Sequence, residues 1–165
     1  MTEFTAQDIQ FMRRALEVAK SGIGLTGIAP SIGSVLVKNG RIIGEGRTQN
    51  GGVPHAEEVA LEDCRERGFD PEGCSVYATL EPCATPDLGA GDCCTSLLID
   101  AKVKEVYMSV LDPDHKTNGN GRKRLEAAGI QTYLGLLADE AYAQNVGFYE
   151  SRGIDLSYLK KSAAP

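Results

Sequence analysis

The stretch Ile32-Gly33-Ser34-Val35-Leu36-Val37-Lys38-Asn39-Gly40-Arg41-Ile42-Ile43-Gly44-Glu45-Gly46 decides the fold. Asn39-Gly40 stands between two runs rich in β-branched residues, the strongest short-range signal for a two-residue hairpin. The reading predicts strands over 32–37 and 41–46, paired antiparallel. Upstream, Thr5-Ala6-Gln7-Asp8 has the form of a capping box, and Ile9, Met12, Leu16 and Ala19 recur at helical spacing up to Ser21-Gly22. The Gly-rich loop over 22–30 lacks the spacing of either phosphate-binding glycine motif.

Downstream, strands and helices alternate. Residues 55–67 read as a helix, 74–80 as a strand, and the segment from Cys93-Cys94 through Ala101 as a helix. A strand over 103–110 follows, then a helix opening at Asn118-Gly119-Asn120-Gly121 and closing at Ala128-Gly129. A short strand over 130–134 and a helix over 137–148 complete the pattern. One hairpin followed by crossover helices predicts an α/β fold of three α/β/α layers around a mixed five-stranded sheet.

The 165 residues suit one domain, expected over 1–150 with a C-terminal tail over 151–165. A formal net charge of −6, no Trp and 6% aromatics argue against a nucleic-acid partner, which would need a basic surface and stacking rings. No apolar run approaches the roughly 20 residues of a membrane helix. Residues 1–10 resemble neither a signal nor a transit peptide, which makes cytoplasm the expected location. Five cysteines, an odd number, favour reduced thiols and metal ligands over a disulfide framework.

Chemistry concentrates in Pro54-His55-Ala56-Glu57, Leu80-Glu81-Pro82-Cys83 and the Cys93-Cys94 doublet. His55 and Cys83 both fall where one element gives way to another, and a helix begins at the doublet. Cys94, Leu97, Leu98 and Ala101 fall at i, i+3, i+4 and i+7, so one inward face carries Cys94 while Cys93 turns toward loop or solvent. His55, Cys83 and Cys94 thus form a three-ligand set for Zn2+ that leaves a fourth position for water. Glu57, two residues from the His, is placed to act as the acid/base, taking a proton from that water and then protonating in turn a ring nitrogen and the departing amine. Cys64 and Cys74 read as small core residues.

His-x-Glu with a later Pro-Cys and a further thiol is the pattern of zinc-dependent nucleobase deaminases. The chain resembles the cytidine-deaminase superfamily, and within it the deaminase domain of the bifunctional riboflavin-biosynthesis deaminase/reductases. The likeness runs from Phe11 to Tyr149. Besides the motifs above it rests on Met12-Arg13-Arg14-Ala15-Leu16, Pro30-Ser31-Ile32-Gly33, Leu111-Asp112-Pro113-Asp114, Gly119-Asn120-Gly121 and Asn145-Val146-Gly147-Phe148-Tyr149. It implies hydrolytic removal of an amino group from a diaminopyrimidinone that carries a ribosylamino phosphate. It also implies substrate contacts at Ala29, Thr48, Ala56, Glu81 and Thr85, Cys94 as the second zinc thiol, and association into dimers or tetramers. The chain ends where the family's reductase domain would begin.

Two departures bear on the substrate. Ala29 stands where the family has Asn, and the segment from Ala84 to Asp92 has two aspartates in place of the family's His and cation. A phosphate would then need Arg47, Lys116 or Arg122; the alternative is an unphosphorylated amino-heterocycle. Two further readings compete: a nucleic-acid-editing deaminase, which the charge opposes, and a non-catalytic zinc module with Cys93 as fourth ligand, which gives Glu57 no task.

Overall fold

The computed structural model describes residues 3–85, 92–154 and 157. Helix α1 (Ala6–Lys20) is capped by Thr5, whose hydroxyl accepts the Asp8 N–H while Asp8 accepts the Thr5 N–H at 2.8 Å. Then come β1 (Gly33–Lys38), β2 (Arg41–Arg47), α2 (Ala56–Glu66), β3 (Ser75–Ala78) and α3 (Cys94–Asp100). The chain continues through β4 (Glu105–Met108), α4 (Asn120–Ala127), β5 (Gln131–Leu134), α5 (Ala138–Gln144) and α6 (Val146–Glu150).

The five strands lie in the order β2-β1-β3-β4-β5. β1 runs antiparallel to both β2 and β3, whereas the β3–β4 and β4–β5 pairs are parallel, so the sheet is mixed as predicted. The hairpin forms at Asn39-Gly40, where both residues take positive φ of 52° and 73°, a geometry Asn and Gly tolerate best.

Helices cover both faces. On one, Ala60, Leu61 and Cys64 of α2, Leu98 of α3 and Leu125 of α4 bury Leu36, Val76, Val106 and Met108. On the other, Met12 and Ala15 of α1 pack on Val35, Val37 and Tyr77. Tyr77, Tyr107 and Tyr133 stand in register on neighbouring strands and stack at 4.6 and 4.5 Å between centroids. The Tyr77 hydroxyl donates to Asp8 at 2.8 Å, joining the α1 cap to the sheet. Cys64 and Cys74 are fully buried in the core.

The single helix expected over 137–148 is two, broken at Asn145. The Asn145 amide accepts the Ser31 N–H and donates to the Ser31 carbonyl, both at 2.9 Å. That paired contact holds Asn145 at φ −126° and ψ 36°, outside the helical region. It joins the C-terminal helices to the segment that leads into β1.

Glycine sets the closeness of the first layer. A Cβ on Gly33 would lie 1.9 Å from the Ala15 carbonyl oxygen, inside α1's own backbone, so α1 rests directly on the strand. Gly33→Ala must therefore push helix from sheet and is expected to lower unfolding free energy by about 1–3 kcal/mol. At Gly147 a Cβ meets nothing within 4 Å, and Gly147→Ala is expected to leave stability unchanged or raise it by up to about 1 kcal/mol. Urea denaturation followed by circular dichroism distinguishes the two; equal effects would contradict the close-packing account.

Candidate metal centre and active site

Two helix starts and one strand end converge on a single point. His55 is the N-cap of α2, Cys93 the N-cap of α3, and Cys83 follows β3 through Thr79-Leu80-Glu81-Pro82. The His55 Nδ1 lies 3.6 Å from the Cys83 Sγ and 3.4 Å from the Cys94 Sγ. The three donor atoms all fall within 4.8 Å of one another. Zinc bonded tetrahedrally at about 2.3 Å to sulfur and 2.05 Å to nitrogen would hold N and S roughly 3.6 Å apart. The donor set therefore has the span and the chemical type of a zinc site.

Local structure explains why the thiols face each other. The Cys94 N–H, in the first turn of α3, donates to the Cys83 sulfur at 3.1 Å. Thr95 closes the same junction: its N–H and its hydroxyl both reach the Cys83 carbonyl, at 3.2 and 2.6 Å. Hydrogen bonding from Cys94, with help from His55, draws the Cys83 thiol down to about 5 despite burial. Its contact with Cys83, together with burial, pushes Cys94 up. The pair holds one thiolate readily, and an ion would draw off the second proton.

Glu57 is 4% exposed, in the first turn of α2 and two residues from His55. Burial pushes its carboxyl up, the charge on Cys83 adds to that, and His55 opposes it. A dication at the adjacent donors would pull the other way, which leaves a carboxylate able to gain and lose a proton.

The other predicted site residues have neighbours of their own. Ala56 is fully buried in an apolar cluster with Ile32, Leu80, Val110 and Tyr149. The Thr48 hydroxyl accepts the Ile32 N–H at 3.0 Å. Ala29 lines a cleft of about 400 Å³ with Pro30, Asn145 and Phe148, and none of His55, Glu57, Cys83 or Cys94 lines it. Thr85 is exposed, and residues 86–91 of the acidic segment, including Asp87, lie outside the described residues. Two of the three candidate cations are already engaged. Arg47 donates to the Thr48 carbonyl at 2.8 Å, and Arg122 to Glu126 and Thr132, each at 3.0 Å.

Glu81 has a definite task in the structure. Its buried carboxylate accepts the N–H groups of Asp112, Gly119 and Arg122 at 3.1, 2.9 and 3.0 Å. It thereby straps the loop after β4 and the start of α4 against the turn that carries Cys83.

Cys93 narrows the sequence reading. The helical spacing placed Cys94 inward, as found; of the two surroundings expected for Cys93, loop or solvent, its 3% exposure excludes solvent. Its sulfur lies 3.3 Å from the Ser96 hydroxyl and accepts from Arg124 of α4 at 3.1 Å. It is not among the three clustered donors. Arg124 is the residue that sequence reasoning missed; thirty positions from the doublet and in another helix, it left no local signal.

Comparison with known proteins places this arrangement. The chain is 45% identical over 148 residues to riboflavin biosynthesis protein RibD of Haemophilus influenzae, covering 90% of this chain and 38% of that protein. To RibD of Escherichia coli it is 40% identical over 154 residues, covering 93% and 41%. The chain thus spans about two fifths of the length of the curated relatives it matches. Among solved structures, a diaminohydroxyphosphoribosylaminopyrimidine deaminase/5-amino-6-(5-phosphoribosylamino)uracil reductase from Thermotoga maritima superposes with a TM-score of 0.79 at 36% identity, over 94% of this chain and 42% of that one. The Aspergillus oryzae Rib2 deaminase in complex with DARIPP superposes at 0.72 over 95% of this chain and 100% of that one; at 22% identity the likeness is one of fold. Residues 5–110, most of the chain and all of the donor cluster, match the family described as cytidine and deoxycytidylate deaminase zinc-binding region. The chain belongs to that family.

Proposed function

We propose that the chain is a zinc-dependent hydrolytic deaminase that converts an amino-heterocycle to its oxo form with release of ammonia. The observation that carries the reading is a His55–Cys83–Cys94 donor set of zinc span, with the buried Glu57 in the first turn of the helix that His55 caps. When bound, zinc lowers the pKa of a coordinated water toward ~7 and so supplies a nucleophile at neutral pH.

The chain's own residues do the rest. The His55 Nδ1 and the sulfurs of Cys83 and Cys94 hold the metal. The Cys94 N–H, in the first turn of α3, donates to the Cys83 sulfur and favours the negative charge of a thiolate there. Glu57 carries the protons. It would accept one proton from the attacking water and deliver it to the ring nitrogen beside the reacting carbon, then take the second proton from the hydroxyl of the tetrahedral adduct and pass it to the amine, which leaves as ammonia while the carbonyl forms. Burial of Glu57 keeps bulk water from intercepting that proton.

The substrate we assign is the diaminopyrimidinone ribosylamino phosphate for which the Thermotoga maritima relative is named. Identity of 45% with a riboflavin biosynthesis protein across 90% of this chain supports it. A second reading, an unphosphorylated amino-heterocycle, draws on the engagement of Arg47 and Arg122 within the fold.

Metal analysis is expected to find about one zinc per chain, lost in Cys94→Ala; full retention in that variant would contradict the ligand set. Glu57→Gln is expected to keep zinc while ammonia release falls by about 10²–10⁴-fold. Release at the parent rate would remove Glu57 from the mechanism. Comparing the phosphorylated substrate with its dephosphorylated form decides between the two substrates. Turnover of the phosphorylated form alone supports the first, and turnover of the dephosphorylated form at the same or higher rate supports the second.

A further inference from the structure

The two cysteine ligands of the proposed centre are eleven residues apart, and something must fix where the intervening segment starts and ends. The structure answers with one side chain. A single nitrogen of Arg124, Nη1, donates to the Ala84 carbonyl at 2.6 Å and to the Cys93 sulfur at 3.1 Å. Ala84 is the residue immediately after Cys83, and Cys93 is the residue immediately before Cys94. The other terminal nitrogen, Nη2, donates to the Ser96 hydroxyl at 2.9 Å, in the first turn of α3. Arg124 therefore holds the segment at both ends, at the residue next to each proposed ligand.

The geometry points to Arg124 and Cys93 as positioning residues of the metal centre: a latch from α4 that sets the separation of Cys83 and Cys94. Three further observations support it. First, both polar groups of the Ala84 backbone are engaged, since its N–H donates to the Thr117 hydroxyl at 3.3 Å. Second, Ala84 and Cys93 are 8% and 3% exposed, so carbonyl and sulfur lie out of bulk water while Arg124 reaches them from the surface. Charge-assisted hydrogen bonds to shielded acceptors are stronger than those in open solvent. Third, α4 is itself fixed at this place. The Arg122 N–H on Glu81 holds its first turn, and a Cβ on Gly121 would lie 2.2 Å from the Pro82 carbonyl. Arg124 thus works from a platform already locked to the Pro82-Cys83 turn.

The chemistry asks for these two residue types. A guanidinium presents donors in a fixed planar fork, so one group can serve a carbonyl, a sulfur and a hydroxyl at once; a lysine ammonium is a compact point charge without that fork. The thiol of Cys93 offers a large, polarisable acceptor close to the guanidinium and, unlike Cys83 and Cys94, has no place in the donor cluster. Its role is to be held, and through the backbone to hold Cys94.

This inference rests on the zinc reading, and zinc affinity measured by competition with a chromophoric chelator tests it without reference to turnover. The variants are Arg124→Gln, Cys93→Ala and the two combined. Outer-shell partners of metal ligands typically change affinity 10–100-fold. Arg124→Gln is expected near the lower end, about tenfold weaker, because its guanidinium stays partly in water. Cys93→Ala is expected to weaken zinc binding by more than threefold, and the double variant to be no weaker than Arg124→Gln alone. The visible spectrum of the cobalt-substituted protein is expected to shift in both single variants, while the zinc-free proteins keep the circular dichroism of the parent. Zinc affinity within threefold of the parent in both single variants overturns the latch. Should Arg124→Gln not fold, Cys93→Ala, which removes one atom, decides by the same threshold. A parent chain that binds no zinc would instead bring down the metal reading, and the latch with it.

Discussion

The hydrogen bond from the Cys94 N–H to the Cys83 sulfur, 3.1 Å long, is the contact on which the rest of the site depends. It joins the turn after β3 to the first turn of α3 and so makes two distant thiols neighbours. His55 completes the set because α2 begins at the same end of the sheet. Each donor sits where one element becomes another. At such junctions, backbone N–H groups without intrahelical partners are available to stabilise negative charge. The fold brings the site about by ending its elements together, and Glu81 keeps those ends together by accepting three main-chain N–H groups from the neighbouring loop and α4.

Much of the fold was legible because its determinants are local. Asn39-Gly40 announces the hairpin, and Thr5 with Asp8 announces the start of α1. The alternation of strand and helix after residue 74 announces parallel pairing. Asn145 was not legible as a helix breaker. Its conformation comes from a paired hydrogen bond with Ser31, 114 positions away, and no neighbour in sequence reports that. The in-register stack of Tyr77, Tyr107 and Tyr133 is hidden for the same reason, since it depends on strand register across two crossovers.

The site divides along the same line. Helical spacing alone places Cys94 inward, because Leu98 and Ala101 on the same face must be buried, and they are. The same reasoning left Cys93 facing loop or solvent, and solvent is excluded by its burial. It considered only the helix that carries the doublet, whereas Arg124 on α4 covers the other side. Glu81 likewise has long-range partners. The resemblance implies a substrate contact at Glu81; what no local spacing announces is that its carboxylate oxygens also meet the main chain of residues 112–122. Spacing identifies which residues can meet a metal; long-range packing determines what keeps them there.

The central claim, that one imidazole and two thiolates form the centre and that Cys93 stays outside it, is tested most directly by X-ray absorption at the zinc edge of the metal-loaded protein. The account predicts two sulfur ligands at about 2.3 Å, one imidazole nitrogen at about 2.0–2.1 Å and one further light atom in the fourth position. A fit requiring three sulfurs, with Cys93 drawn into the shell, or no sulfur at all, would contradict it.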